Sequence, residues 1–214
     1  EYLTFKTAIS AITALIISFI IGPITIKNLQ QYQIGEEIRS NGPESHLAKR
    51  GTPTMGGVII ILSTLLPTLL FSDLSNVMVV IIALSTLWMG IIGFIDDYLK
   101  IIIKAKDGMI ARYKMIGQIL LGIIISYAII NSNDFNGFNT KTTIPFFKNF
   151  EFDFGIFYPL LVILVITATS NAVNLTDGLD GLAIGLLAIC FTVFTAISYI
   201  SGSCLLYTSP SPRD

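Results

Sequence analysis

Six stretches of this chain stay apolar for nearly the thickness of a bilayer's hydrocarbon core, at residues 5–26, 54–71, 77–95, 115–130, 156–172 and 182–200. A helix needs about 20 mostly apolar residues to span a membrane, within a range of roughly 17–25. So many runs of that length predict an all-α polytopic membrane protein with six transmembrane helices. Pro23, Pro67 and Pro159 lie within or at the ends of these runs. Spanning helices tolerate proline where neighbours satisfy the freed backbone groups. Charged residues make up 13% of the chain, against about 25% in an ordinary soluble domain. The net charge of −1 gives no reason to expect a nucleic-acid partner. Cys190 and Cys204 lack metal-ligand spacing, so neither a zinc site nor a disulfide framework is read from them. Glu1 is not an initiator methionine, so the natural N-terminus is expected to lie upstream. The first run is too long for a signal-peptide core and lacks a small-residue cleavage site, which makes it a retained span.

Lysine and arginine orient the spans. The loops after the first, third and fifth runs hold Lys27, Arg39, Lys49, Arg50, Lys100, Lys104, Lys106, Arg112 and Lys114, whereas the opposite side holds Lys6, Lys141 and Lys148. Cytoplasmic loops carry the positive excess, so the first set is cytoplasmic and the N-terminus lies outside. Residues 131–154 then lie outside as well, and their partial alternation predicts a short extracytoplasmic hairpin. Residues 1–200 read as one membrane-embedded domain. The Ser/Pro-rich residues 201–214 match nothing upstream and read as a non-native tail.

Three polar motifs interrupt this apolar text, each in or beside a cytoplasmic loop. The first is Lys49-Arg50-Gly51-Thr52-Pro53-Thr54-Met55-Gly56-Gly57. Its glycines allow close backbone approach, free N–H groups at a helix start suit an anion, and Lys49 and Arg50 add charge for phosphate. Alone, it reads more readily as a positive-inside anchor before a Gly-rich packing face. The second is Gly93-Phe94-Ile95-Asp96-Asp97-Tyr98-Leu99-Lys100. Carboxylates at the end of an apolar helix are costly unless partnered. Adjacent on a helix, these two point about 100° apart, which predicts a division of labour: one near a Mg²⁺–phosphate unit, the other a base or an orienting group. Lys100 shares their face. A solvated helix end with a local ion pair is the plainer alternative.

The third motif is Asn171-Ala172-Val173-Asn174-Leu175-Thr176-Asp177-Gly178-Leu179-Asp180-Gly181. A helical turn would place Asp177 and Asp180 on one face, and Asn171 and Asn174 supply donors and acceptors. The motif contains no lysine or arginine, so its acids need a metal or a cation from elsewhere. A turn with helix-capping aspartates is the alternative. Together the motifs offer carboxylates for Mg²⁺, amides for hydrogen bonding and lysines for phosphate, a mix suited to phosphoryl transfer. His46, the one histidine, reads as a solvated loop residue.

The blocks Gly51-Thr52-Pro53-Thr54-Met55-Gly56-Gly57, Phe94-Ile95-Asp96-Asp97-Tyr98-Leu99-Lys100 and Asn171 to Gly181 resemble, in order and spacing, the signatures of the bacterial phospho-N-acetylmuramoyl-pentapeptide transferases. The likeness covers essentially all of residues 1–200. The acidic blocks are shared across the polyprenyl-phosphate N-acetylhexosamine-1-phosphate transferase superfamily, and the Gly-Thr-Pro-Thr-Met-Gly-Gly block is more specific. The resemblance implies transfer of phospho-MurNAc-pentapeptide from UDP-MurNAc-pentapeptide to undecaprenyl phosphate. The products are lipid I and UMP, made with Mg²⁺ at the cytoplasmic face of the bacterial inner membrane in peptidoglycan biosynthesis. It implies catalytic roles for Asp96, Asp97 and Asp177, with Asp96 deprotonating the lipid phosphate. Lys49, Thr54, Lys100, Lys114, Asn171, Asn174 and Asp180 are implied in substrate binding, and Asp97 and Asp177 as Mg²⁺ ligands. A homodimer is compatible with the family.

The family is expected to have ten spans, of which this sequence supplies six. A downstream Gly-Asp block with a metal-binding aspartate and a His-rich loop are not in it. The polypeptide alone is therefore expected to be inactive, and lipid I synthesis by the purified fragment would refute that. A GlcNAc-1-phosphate transferase of the same superfamily is the nearest alternative. An ion-coupled transporter is the alternative of a different class, although its acids would be expected mid-span rather than at one face.

Overall fold

The computed structural model describes residues 2–31, 55–103, 108–131, 140–143, 151–177 and 181–208. Helices dominate: α1 (Tyr2–Gln31), α2 (Gly57–Phe71), α3 (Val77–Ile101), α4 (Ala111–Asn131), α5 (Tyr158–Thr176) and α6 (Leu182–Thr208). Between α4 and α5 lie two short strands, β1 (Lys141–Thr143) and β2 (Glu151–Asp153). Lipid offers backbone amides no partner, so a chain of apolar runs satisfies them within helices. All but α2 are long and apolar enough to cross a membrane. The 15 residues of α2 rise about 22 Å, short of a hydrocarbon core of about 30 Å. Side-chain hydroxyls in these apolar helices meet the same constraint. Ser63 donates to the Ile59 carbonyl at 2.5 Å, Ser85 to Ile81 at 2.6 Å and Ser126 to Gly122 at 2.7 Å, each one turn back along its own helix.

The chain divides into two compact units, Glu1–Leu164 and Val165–Asp214. In the first, α1 packs on α2, α2 on α3 and α3 on α4, in chain order. Small residues bring the axes together. Gly90 of α3 lies against Ile61 of α2, Gly117 of α4 against Ile92 of α3, and Gly122 of α4 against the backbone of Ile163. Ile92 faces Gly117 while Asp96 bonds Lys114. The residue numbers run in opposite directions along the two helices, so α3 and α4 are antiparallel. The Trp88 indole N–H ties them mid-span, donating to the Gly117 carbonyl at 3.0 Å.

The distribution of side chains is that of a protein dissolved in lipid. Phe19, Leu70 and Phe191 are 77%, 69% and 66% exposed, whereas Gln118 and Ser126 are 3% and 2% exposed. Apolar groups face outward and small or polar ones face neighbouring helices, the reverse of a water-soluble core.

The predicted hairpin is present. β1 and β2 pair antiparallel, with Lys141 opposite Asp153 and Thr143 opposite Glu151. Asp153 closes its base, accepting from the Thr140 hydroxyl and from the Gly155 N–H at 2.9 Å. These bonds hold its carboxyl below the usual carboxylate range, the Thr140 hydroxyl contributing most. In the second unit, α6 runs unbroken through Thr208. It thus passes residue 200, where the sequence reading set its tail apart. Residues 209–214 of that tail lie outside the described residues.

Candidate active site

Helix α3 carries Asp96 and Asp97 in its last turns and ends at Ile101. Its C-terminal carbonyls make the negative pole of the macrodipole, where acids are disfavoured and cations favoured. Two adjacent carboxylates there therefore demand positive partners, and Asp96 has them. Its Oδ2 accepts from Lys100 Nζ at 2.9 Å, one turn along α3, and from Lys114 Nζ at 2.7 Å, in the first turn of α4. Its Oδ1 accepts the backbone N–H of Met109 at 2.8 Å. The residue is only 7% exposed, and charge-assisted bonds of this kind are about twice as strong as neutral ones. This is a buried, three-donor clamp rather than a solvated helix end.

The turn that delivers the Met109 amide depends on glycine. Gly108 has φ +64°, in the left-handed region that residues with a Cβ rarely adopt. A Cβ built there would lie 2.6 Å from Asp96 Oδ1 and 2.6 Å from Lys100 Cε. Position 108 therefore requires glycine twice over, for backbone sign and for space. Sequence reasoning missed Gly108 and Met109. The Asp107-Gly108 dipeptide, a turn former, could have flagged the bend, although not what it grips.

Of the sequence-predicted residues, the first unit brings together Asp96, Lys100 and Lys114. Asp97 is half-buried beside them in sequence, on a different face of α3 as the 100° step requires. On α5, Asn171 and Asn174 are exposed three residues apart, and Asp177 follows, also exposed, in the turn after the helix. The Asn171 amide donates to the Thr167 carbonyl at 2.8 Å, and the Asp177 N–H to Val173 at 3.0 Å. Asp177 too sits past a helix C-terminus, where a carboxylate calls for a cation. Lys49, Thr54 and Asp180 lie outside the described residues. Met55, the first described residue of the Gly-rich block, is buried with φ +70°. That conformation is uncommon outside glycine and marks functional turns in other proteins.

Among the described residues, no three His, Cys, Asp or Glu side chains gather into a metal-binding cluster. Mg²⁺ does not need one, because it keeps several waters and binds through one or two carboxylates plus substrate phosphates. The Asp96 oxygens are already engaged by two ammoniums and an amide. Asp97, half-buried on α3, and Asp177, exposed after α5, each carry the kind of oxygen that Mg²⁺ takes.

Comparison with known proteins identifies relatives of the chain. The family model described as glycosyl transferase family 4 matches residues 78–209, and phospho-N-acetylmuramoyl-pentapeptide-transferase signature 1 matches residues 49–61. The chain is 45% identical over 203 residues to the phospho-N-acetylmuramoyl-pentapeptide-transferase of Chlorobaculum parvum, covering 95% of this chain and 55% of that protein. It is 48% identical over 201 residues to the protein of that name from Desulforapulum autotrophicum, covering 94% and 55%. With the one from Pelobacter propionicus it shares 46% over 207 residues, covering 96% and 57%. The chain thus spans about half the length of the curated relatives it matches.

Proposed function

The chain belongs to glycosyl transferase family 4, and from that premise we propose that the complete protein makes lipid I. It transfers phospho-MurNAc-pentapeptide from UDP-MurNAc-pentapeptide to undecaprenyl phosphate and releases UMP, at the cytoplasmic face of the bacterial inner membrane. The observation that carries the reading is the convergence of Lys100 and Lys114 on one oxygen of Asp96, in a chain that matches the transferase signature.

The chemistry asks for positive charge and alignment. An oxygen of the lipid phosphate attacks the phosphorus that bears the sugar. The bond from that phosphorus to the UMP oxygen breaks, UMP leaves with the electron pair, and a new diphosphate forms. Both reactants are anions, so electrostatic positioning does most of the work. Two ammoniums alone would repel each other. With Asp96 between them, the trio (+1, +1, −1) keeps a net charge of +1 and a fixed geometry. Lys100 and Lys114 then hold phosphate oxygens. A phosphate monoester is already largely ionised near neutral pH, so the reaction has little need of Asp96 as a base. Its three donors favour the task of holding the lysines. The family resemblance assigns Asp97 and Asp177 to Mg²⁺, which would supply neutralisation of diphosphate charge. Asn171 and Asn174 offer amides to the nucleotide sugar, and Lys49, Thr54 and Asp180 are assigned to the uridine end.

The test uses the purified full-length protein with undecaprenyl phosphate and Mg²⁺, offered UDP-MurNAc-pentapeptide or UDP-GlcNAc. Lipid I and UMP in equal amounts from the first donor are expected. Product from UDP-GlcNAc alone would move the protein to the GlcNAc-1-phosphate branch, and no product from either would overturn the reading.

A further inference from the structure

The geometry points to Gly108 and the Met109 amide as a positioning device that sets the Asp96 carboxylate, and through it the spacing of the Lys100 and Lys114 ammoniums. A carboxylate held only by two flexible lysines can turn about its terminal bond. Each ammonium has three donors and a long stem, so either lysine can follow the oxygen or leave it. The backbone N–H of Met109 has no such freedom. Bonded to Oδ1 at 2.8 Å, it fixes the carboxylate plane, which leaves Oδ2 facing Lys100 on α3 and Lys114 on α4.

The amide can reach Oδ1 only because Gly108 occupies the left-handed region at φ +64° and offers no Cβ. The same absent Cβ leaves room for the Lys100 stem, whose Cγ and Cε would lie 2.7 and 2.6 Å from it. One residue therefore clears space for both the acid and one of its bases. Lys114 is delivered by the helix that begins three residues after Gly108, at Ala111. The turn sets the start of α4 and the rotation of Asp96 together. Gly108 touches no reacting atom in this account. Its effect reaches the phosphates through Asp96, and only the kinetic consequence rests on the transferase reading above.

The experiment compares amine acetylation rates, residue by residue, with substrate kinetics in the full-length protein. The variants are Gly108→Ala, Asp96→Ala, their double and Met109→Ala. Breaking the clamp should raise labelling of Lys100 and Lys114 about fivefold, the size of a partly exposed ion pair. Lys141, on the hairpin, serves as internal control. Gly108→Ala should match Asp96→Ala at both lysines, and the double variant should add nothing, as expected of residues acting through one another. Met109→Ala keeps the backbone N–H and should label at the wild-type rate. In kinetics, Gly108→Ala should raise KM for undecaprenyl phosphate more than it lowers kcat.

Wild-type labelling in Gly108→Ala would overturn the proposal, as would labelling in the double variant that exceeds either single. If Gly108→Ala fails to fold, unchanged labelling in Asp96→Ala overturns it independently. Labelling as expected in a protein without transferase activity would uphold the positioning role and reject the transferase reading.

Discussion

Asp96 collects donors from three places: one turn along its own helix, the backbone after a glycine turn, and the start of the next helix. Removing its carboxylate leaves two ammoniums and an amide to find other partners. We expect Asp96→Ala to cost about 1–3 kcal/mol of stability in detergent and to lower kcat/KM by roughly 10²-fold. Thermal unfolding and steady-state assays check the two figures separately. How much of this was legible in the sequence follows from distance along the chain. The Asp96–Lys100 pair is an i,i+4 relation and could be read from spacing. The Lys114 contact depends on the antiparallel register of α3 and α4, and the Met109 bond on a backbone conformation. No pattern of side chains encodes either of them directly.

At the scale of elements, the apolar runs placed the helices but not their ends. α3 reaches Ile101 and α4 begins at Ala111, so Asp96, Lys100 and Lys114 lie on helices where the apolar count stops short at 95 and resumes at 115. Charge ends an apolar run, but the backbone still gains from helical hydrogen bonds in the interface, where long polar side chains reach water. Close helix approach gives a second prediction. A Cβ at Gly122 would lie 3.0 Å from Ile163 Cα, so Gly122→Val should destabilise by about 1–3 kcal/mol through overpacking. Gly93→Ala, at a position with nothing within 4 Å, should leave the melting temperature nearly unchanged. The hairpin supplies a pH prediction. Asp153 has its folded pKa lowered by Thr140 and Gly155, so its contribution is complete above the unfolded carboxylate value of about 3.9. It is lost as pH falls through the lower folded value. Amide exchange at Phe154 and Gly155 should accelerate over that acid window, and Asp153→Asn should remove the dependence.

Over the whole molecule, the exposed surface of the spans is apolar and the buried positions include Ser63, Gln118 and Ser126. The fold class was legible for that reason: bilayer-length runs leave few alternatives. The site was only partly legible, since the Met109 amide and the Lys114 ammonium reach Asp96 through a backbone turn and a helix register. Cys190, exposed on α6 beside Ile189 and Phe191, gives a test of the solvent. In a Cys204→Ser background, a charged thiol reagent should fail to label Cys190 in intact membranes and should label it after denaturation. The central claim is that Asp96 organises Lys100 and Lys114 to hold phosphate for transfer. Its most direct test is UMP release by the full-length protein on undecaprenyl phosphate and UDP-MurNAc-pentapeptide, wild type against Asp96→Ala. The account predicts turnover in the wild type, and in the variant a loss of roughly 10²-fold with a raised KM for undecaprenyl phosphate. Wild-type turnover by the variant would contradict it.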